Sequence, residues 1–163
     1  MTDTVTTINP TTEQALETYT LLSLEKAQAE VDKCHEAFES WRKTSLTKRA
    51  EHLNKLASVI ESNKQDIAQL MTDEMGKLYQ QGLQEVELCA AICRYTAEQG
   101  PKVLADEKRD MQGGHAIVTY QPIGVILGIQ PWNFPLYQVI RYACANIMAG
   151  NTTVLKHAGN VFG

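Results

Sequence analysis

Pro122-Ile-Gly-Val-Ile-Leu-Gly-Ile-Gln-Pro-Trp-Asn-Phe-Pro135 is a β-branched apolar run that ends in a proline-flanked turn. Its centre, Val125 to Ile129, is apolar on both faces, which predicts a buried parallel strand. Pro135 stands where the first residue of a helix is expected, and Gly150 where the residue after a helix end is expected. Thr152 to Leu155 predicts a second short buried strand. Strand, helix and strand in this order form a βαβ unit, which opens a dinucleotide-type sheet.

The residues before this segment predict two short strands followed by a layer of helices. The strands are expected around the Pro10 turn, from Thr6 to Thr12 and from Ala15 to Leu21. Four helices are expected. The first begins after the cap Ser23, and the second carries an apolar face from Leu46 to Ile60. The third runs from the cap Asn63, with Asp66 as its reciprocal partner, to Gly76, and the fourth spans Leu78 to Ala97 before a break at Gly100-Pro101. This half of the chain indicates no function by itself.

A hairpin is expected between the helical layer and the βαβ unit. The run 105–112 is polar, Gly113-Gly114 marks a turn, and His115 to Gln121 reads as a strand. These features predict two antiparallel arms that project from the body. The complete fold class expected is α/β: an N-terminal helical layer, a projecting β-hairpin arm, and an incomplete dinucleotide-binding sheet.

Composition excludes several classes of function. With 163 residues, 44% hydrophobic and 21% charged, the chain is long enough for one domain with a real core. The net charge of −4 and the scattered lysines and arginines leave no basic face for nucleic acid. The longest apolar run, Ile123 to Ile129, is too short to span a membrane, and Met1-Thr-Asp-Thr does not resemble a signal peptide. A cytoplasmic location is the default expectation.

The four cysteines are Cys34, Cys89, Cys93 and Cys144. Cys89 and Cys93 are separated by one helical turn, a spacing that two metal ligands can use. No histidine or second cysteine pair is near in sequence to complete such a site, so reduced core thiols and no metal are the favoured interpretation.

Asn133, Lys156 and Arg141 are the candidate functional residues, and each has a structural alternative. Asn133, between strand and helix, suits an amide donor to an oxyanion, or a simple helix cap. Lys156, at the carboxyl end of a strand, suits the ribose or phosphate of a nucleotide, or is a solvated surface charge. Arg141, on a nearly apolar helix, calls for a bound carboxylate or for an internal ion pair with an acidic residue between Asp73 and Glu87.

Four segments together resemble the aldehyde dehydrogenase family. They are Asn9-Pro-Thr-Thr12, Asp73-Glu-Met-Gly-Lys77, Pro131-Trp-Asn-Phe-Pro135 and Ala149-Gly-Asn-Thr-Thr-Val-Leu-Lys156, so the resemblance covers essentially the whole chain. It implies oxidation of an aldehyde by NAD(P)⁺ and water to an acid. In that reaction a cysteine thiolate attacks the carbonyl, a hydride passes to the nicotinamide, and a glutamate activates water.

The resemblance also assigns roles to particular residues. It implies that Asn133 holds the aldehyde oxygen, that Trp132 and Asn133 line the cofactor cleft, and that Lys156 contacts the adenosine ribose. The run that follows, His157-Ala158-Gly159, is expected to contact the cofactor too. Many NAD-preferring members carry a carboxylate where Gly159 stands, so its absence leaves both NAD and NADP open.

The resemblance also points to a substrate. Lys156-His157-Ala158 is similar to the succinate-semialdehyde dehydrogenase branch of the family, in which an arginine at the position of Arg141 anchors the substrate carboxylate. Succinate semialdehyde is therefore the expected substrate.

The expected organisation has three parts: strands and helices of the cofactor-binding domain in 1–103, an oligomerisation-type β arm in 104–121, and the start of the dinucleotide-binding sheet in 122–163. The family's cysteine and glutamate lie downstream of the lysine strand, so we expect a truncated, N-terminal portion that is inactive alone and forms a homo-oligomer. One alternative is a non-catalytic assembly module that keeps only the oligomerisation surface. A weaker one is an acyl-phosphate or acyl-CoA reductase on the same fold, which Trp132-Asn133 disfavours.

Overall fold

Five helices and six strands follow one another in the computed structural model, which describes residues 3–163. In chain order they are β1 (Thr4–Ile8), β2 (Ala15–Thr20), α1 (Leu24–Trp41), α2 (Leu46–Ser62), α3 (Lys64–Met75), α4 (Tyr79–Val103), β3 (Glu107–Met111), β4 (Gly114–Val118), β5 (Val125–Ile129), α5 (Pro135–Ala149) and β6 (Thr152–Lys156). The predicted α/β class, with its helical layer, hairpin and opening βαβ unit, is confirmed. The predicted boundaries at 103/104 and 121/122 stay a prediction.

Helix α4 is the centre of the core, because α2, α3 and α5 all pack against it. Its inward stripe is the predicted one: Val86, Cys89, Ala90 and Cys93 are each almost completely buried. The facing helices contribute Leu53 from α2, Met71 from α3 and Met148 from α5, among others. The start of the βαβ unit is therefore built onto the helical layer through one continuous apolar core.

The predicted helix ends are partly confirmed. The Ser23 hydroxyl accepts from the backbone N–H of Lys26, and Gly76 closes α3 in the left-handed region at φ 71°. The capping box predicted at Asn63 and Asp66 is wrong. Asn63 occupies the N-cap position of α3, but its side-chain amide donates backwards to the Val59 carbonyl at 2.8 Å. The close succession of α2 and α3 directs this side chain to the end of α2.

The break predicted at Gly100-Pro101 is also wrong, because α4 continues through both residues to Val103. Proline removes one backbone donor and crowds the preceding turn, but here the helix tolerates it near its end. Gly100 has a packing role instead. A Cβ at this position would lie 2.4 Å from Cγ of Met148, so the missing side chain allows α4 and α5 to approach closely.

Two antiparallel hairpins flank the helical layer. Strand β1 pairs with β2 in one sheet, and β3 pairs with β4 in another. The second hairpin turns at Gly113, whose φ of 90° favours glycine, and Met111 is opposite Gly114. Strand β4 ends at Val118, before the predicted limit of Gln121. The hairpin lies where the projecting arm was predicted.

Strands β5 and β6 form the parallel pair of the predicted βαβ unit. Val125 pairs with Thr152 and Ile129 with Lys156, and the Gln130 N–H donates to the Lys156 carbonyl at 3.1 Å. The prediction that β5 is buried on both faces is wrong for the residues that the structure describes. Leu127 and Ile129 remain 60% and 68% exposed, because helix α1, which packs on this sheet, leaves them uncovered.

Arg49 of α2 fixes the far end of α5. This arginine is buried, and its guanidinium donates to the Met148 carbonyl at 3.1 Å and to the Arg42 carbonyl at 2.9 Å. Gly150 follows α5 at φ 95°, and a Cβ there would lie 2.6 Å from the guanidinium. A cation at a helix C-terminus interacts favourably with the helix dipole, so Arg49 stabilises this end of α5.

Within residues 3–163, we find no helix with the length and apolar content needed to cross a membrane.

Candidate functional site

The Pro131–Pro135 turn lies between the carboxyl end of β5 and the first turn of α5. Trp132 is 52% exposed, and Asn133 is exposed as well. The N-cap position of α5 belongs to Phe134, and no side chain of the turn caps the helix. The alternative interpretation of Asn133 as a helix cap is therefore wrong. Its amide is free to act toward solvent or a ligand.

Glu85 of α4 accepts the hydrogen bonds that a capping side chain would normally accept. Its Oε1 receives the backbone N–H groups of Leu136 and Tyr137, each at 3.0 Å, although the residues are 51 and 52 positions apart in sequence. The first turn of a helix carries unpaired N–H donors and a partial positive charge, so a carboxylate there is stabilising. Glu85 is only 3% exposed, which shields this contact from water.

Lys77 supplies the counter-charge for Glu85. Its ammonium pairs with Glu85 Oε2, and Lys77 is itself 8% exposed. The same ammonium lies 4.0 Å from the centroid of the Phe134 ring, a distance at which a cation is attracted to an aromatic face. The buried ion pair thus contacts the turn through both the backbone of α5 and the side chain next to Asn133.

His157 holds the turn from the side of β6. Its Nδ1 accepts from the Ala158 N–H at 2.8 Å, which leaves the ring proton on Nε2. Nε2 then donates to the Pro135 carbonyl at 2.9 Å. His157 therefore joins the carboxyl end of β6 to the beginning of α5, a contact between the two predicted parts of the cofactor cleft.

Lys156 and Gly159 lie where a nucleotide is expected in a sheet of this kind. Lys156 is the last residue of β6 and is exposed, beside the end of β5 that leads into the turn. A Cβ at Gly159 would meet no atom within 4 Å, so there is open space next to this residue. Exposed ammonium and open backbone at the carboxyl ends of parallel strands fit the ribose and phosphates of a dinucleotide.

The sequence interpretation of Arg141 needs a correction. Arg141 is exposed, not enclosed by its helix, and within the described residues it forms no ion pair with the segment from Asp73 to Glu87. Two carboxylates of that segment are buried: Glu85 pairs with Lys77, and Glu74 accepts from the Gly163 N–H. The Arg141 guanidinium lies 5.7 Å from the centroid of the Tyr137 ring, and its charge is available to a ligand.

A groove of about 310 Å³ opens beside the turn. It is lined by Lys77, Gln81, Gln84, Glu85, Leu88 and Phe134. Phe134 connects this groove to Asn133, its neighbour in sequence.

Three of the four thiols are core residues, as expected, while Cys34 is only partly buried. Cys89, Cys93 and Cys144 are fully buried, and Cys93 Sγ lies 3.5 Å from Cys144 Sγ. Burial raises the pKa of the Cys89 thiol to about 12, which keeps it protonated and unreactive at neutral pH. Among residues 3–163 there is no group of three or more histidine, cysteine or acidic side chains arranged to hold a metal ion.

Sequence reasoning missed Glu85 and Lys77 as residues of the site. Lys77 belonged to a segment noted only for its resemblance, and Glu85 to a range considered only as a partner for Arg141. A signal for Glu85 was present, because it precedes Cys89 and Cys93 at four-residue spacing and so falls on the buried stripe of α4. No sequence signal pointed from Glu85 to the first turn of α5.

Comparisons with known proteins agree with this architecture. The model of the aldehyde dehydrogenase family matches residues 1–161. A succinate-semialdehyde dehydrogenase [NADP(+)] of Mycobacterium leprae is 39% identical over 160 residues, covering 96% of this chain and 35% of that protein. The corresponding protein of Deinococcus radiodurans is 38% identical over 152 residues, covering 93% of this chain and 32% of its own length.

Solved structures show the same similarity in three dimensions. Succinic semialdehyde dehydrogenase of Streptococcus pyogenes, in complex with NADP⁺, superposes with a TM-score of 0.91 at 34% identity, over 96% of this chain and 35% of that one. An aldehyde dehydrogenase of Brucella melitensis gives a TM-score of 0.93 at 29% identity, over 98% of this chain and 33% of that one. The chain spans about a third of the length of these relatives. On the family match across nearly its whole length, the chain belongs to the aldehyde dehydrogenase family.

Proposed function

We propose that this chain is the N-terminal portion of an NAD(P)-dependent aldehyde dehydrogenase whose substrate is succinate semialdehyde. The observation that carries the proposal is that the side-chain amide of Asn133 is exposed and unpaired among the described residues. Its amide is exposed at the carboxyl end of β5 and is not used as a helix cap, because Glu85 caps α5. An uncommitted amide donor at this end of a parallel sheet is suited to a substrate oxygen.

In the proposed reaction, the Asn133 amide donates to the aldehyde oxygen as negative charge develops there. A donor fixed in advance stabilises that charge more than the neutral carbonyl, so it accelerates the chemical step. The nicotinamide of the bound cofactor supplies the hydride acceptor. Trp132 borders the same cleft, while Lys156 and the backbone of His157, Ala158 and Gly159 bind the adenosine end of the cofactor.

We propose NADP as a cofactor that this site accepts. Gly159 presents no carboxylate to repel a 2′-phosphate, the space beside it is open, and Lys156 offers a positive charge nearby. Relatives from two bacteria carry NADP(+) in their names, and the Streptococcus pyogenes structure holds NADP⁺. NAD lacks the phosphate and also fits this geometry.

The substrate proposal depends on Arg141. Its exposed guanidinium is on the helix that begins at the Pro131–Pro135 turn, and it has no carboxylate partner within the described residues. We propose that the aldehyde end of the substrate binds Asn133 and that its carboxylate end binds Arg141. The names of the relatives support succinate semialdehyde as that substrate.

We expect the 163-residue chain alone to be inactive. Three of its four cysteines are buried in the core, and Cys34 is on α1, so none of the four is placed at the turn as a nucleophile. Aldehyde-dependent formation of NADPH by this chain alone would contradict this expectation.

The function itself is tested with the aldehyde-oxidising protein that contains these residues together with a nucleophilic cysteine. Asn133→Ala should lower kcat for succinate semialdehyde by about 10²–10³-fold, the loss typical of an oxyanion donor. Asn54→Ala, which changes an exposed asparagine of α2, is the matched control and should leave kcat unchanged. Equal kcat values in both variants would remove Asn133 from the mechanism.

The second candidate is a non-catalytic assembly module. The β3–β4 hairpin favours it, because these strands form a two-stranded sheet with Met111 and Ile117 more than half exposed. Exposed strand edges pair readily with other chains, so we propose a homo-oligomer in either case. Light scattering on the wild type and on Ile117→Lys tests this proposal, and a wild-type monomer would contradict it. An oligomer that fails to bind NADP would favour the module over the enzyme.

A further inference from the structure

The first turn of α5 has no capping side chain of its own. Pro135 stands at the first helical position and has no N–H, and Phe134 at the N-cap has no hydrogen-bonding side chain. The N–H groups of Leu136 and Tyr137 therefore need an acceptor from elsewhere. Asn133 is the residue of the turn whose side chain is of the capping type, and it does not cap.

The acceptor comes from a distant part of the chain. Glu85 reaches across from α4 and accepts both N–H groups through a single oxygen, each at 3.0 Å. Because Glu85 is buried, its charge requires a partner, and Lys77 is that partner. Glu85 thus caps α5, and Lys77 balances its charge, which allows a carboxylate to be buried in the core.

The residues after Asn133 are each held from outside the turn. Phe134 is under the Lys77 ammonium, Pro135 accepts from His157, and Leu136 and Tyr137 donate to Glu85. Asn133 itself has no side-chain hydrogen bond among the described residues. Its backbone is fixed through its neighbours, while its amide is left free.

We propose that Glu85, paired with Lys77, is a positioning residue for Asn133. By capping α5 in place of Asn133, it releases the Asn133 amide and fixes the turn from which that amide projects. The inference rests on the proposed function, because it assigns a purpose to the freedom of Asn133. A donor displaced by about an ångström loses much of its effect on rate, so disturbing the cap should reduce kcat.

The first experiment uses this chain and does not depend on activity. Hydrogen exchange of the Leu136 and Tyr137 amides is measured in Glu85→Gln and in Glu87→Gln. Glu87 is on the same helix, but its carboxylate is exposed and pairs with Lys64 at the surface, so it is a matched control. Glutamine keeps an acceptor oxygen but loses the negative charge and the ion pair with Lys77, so the hydrogen bonds to both amides become weaker. We therefore expect exchange at both amides to accelerate at least about tenfold in Glu85→Gln and to be unchanged in Glu87→Gln. Equal protection in the two variants would overturn the proposal.

The second experiment uses the aldehyde-oxidising protein that contains these residues. Glu85→Gln should lower kcat by about 10–100-fold with KM for NADP within about twofold of wild type, because the cofactor contacts at Lys156 are untouched. A general structural defect would change both constants. Glu87→Gln should change neither.

The double variant Glu85→Gln/Asn133→Ala separates positioning from other effects. If Glu85 acts through Asn133, the Glu85 substitution should have less than about a threefold effect on kcat once Asn133 is alanine. Full additivity would overturn the positioning role, as would a normal kcat in Glu85→Gln when Asn133→Ala is impaired. If Asn133→Ala has normal kcat, the proposed function fails instead, so the two failures are distinguishable.

Discussion

The Tyr142 ring fills the space in which a side chain at Gly128 would lie. A Cβ at Gly128 would be 2.2 Å from Cζ of Tyr142, and the Tyr142 hydroxyl donates to the Val154 carbonyl at 3.1 Å. One aromatic side chain thus connects α5 to both strands of the parallel pair. Gly128 is in the strand because the ring requires direct contact with the backbone.

Gly128→Ala should therefore destabilise the fold by about 1–3 kcal/mol, the cost of overpacking a closely packed contact. Chemical denaturation measures this change. Gly114→Ala is the control, since a Cβ there meets no atom within 4 Å, and its effect should stay within about 0.5 kcal/mol. In Gly128→Ala/Tyr142→Ala the two losses should be less than additive, because removing the ring removes the clash. Additive losses would contradict the contact.

Arg49→Met should destabilise the chain by about 1–3 kcal/mol, because the buried carbonyl oxygen of Met148 and the partly buried carbonyl oxygen of Arg42 lose their donor. Burial also lowers the pKa of the Arg49 guanidinium, although arginine remains charged at neutral pH. Arg42→Met, at a more exposed arginine, should cost less than about 1 kcal/mol. Similar unfolding free energies for the two variants would show that the carbonyl contacts are not important for stability.

The buried Glu74 carboxyl should make the free energy of unfolding depend on pH. Burial raises the pKa of this carboxyl above its ordinary value of 4.5, although the Gly163 and Phe162 N–H groups oppose the shift. A raised pKa means that the folded state binds the proton more tightly than the unfolded state. The contribution of Glu74 to stability is therefore complete below pH 4.5 and is lost as the pH rises through the raised pKa.

The measurement compares urea unfolding of the wild type and Glu74→Gln across this range of pH. Glutamine does not titrate, and its side-chain oxygen can still accept from Gly163. As the pH rises, the unfolding free energy of the wild type should fall relative to that of the glutamine variant. A constant difference would show that Glu74 has the same pKa in the folded and unfolded states.

Arg141→Ala should discriminate between substrates in the aldehyde-oxidising protein. For succinate semialdehyde, kcat/KM should fall by about 10–100-fold, because a charge-assisted hydrogen bond to the carboxylate is lost. For butanal, an uncharged aldehyde with the same number of carbons, kcat/KM should stay within about threefold. Arg109→Ala, in the exposed hairpin, is the control and should affect neither substrate. Equal losses on both aldehydes would remove Arg141 as the carboxylate anchor.

The predictable parts of the fold were those with a local signal. Strand β5, the start of α5 at Pro135 and its end at Gly150 all match the sequence interpretation, because apolar runs, a proline and a left-handed glycine act within a few residues. The helix through Gly100-Pro101 was missed because the glycine responds to Met148, a residue that only the tertiary packing brings near. The exposed face of β5 was missed because apolar content does not say which neighbours are present.

For the candidate site, the sequence indicated individual residues but not the contacts that hold them in place. Asn133, Lys156 and Arg141 were proposed from their positions after strands or on a helix, and all three are exposed in the structure, while their roles stay predictions. The charged side chains that hold α5, Glu85 and Arg49, were missed as functional supports. Both are on otherwise apolar helix faces, and their partners are backbone groups far away in sequence.

Helix α5 meets a carboxylate at its first turn and a guanidinium at its last, and both come from helices that precede it in the chain. If the helix ran in the opposite direction, it would present carbonyl oxygens to Glu85 and N–H groups to Arg49. Acceptors would then face an acceptor at one end, and donors would face a donor at the other. The two charges therefore favour only one direction of this helix. A protein engineered to carry the Pro131–Pro135 turn on a new scaffold would also need a carboxylate and a guanidinium at the two ends of the helix.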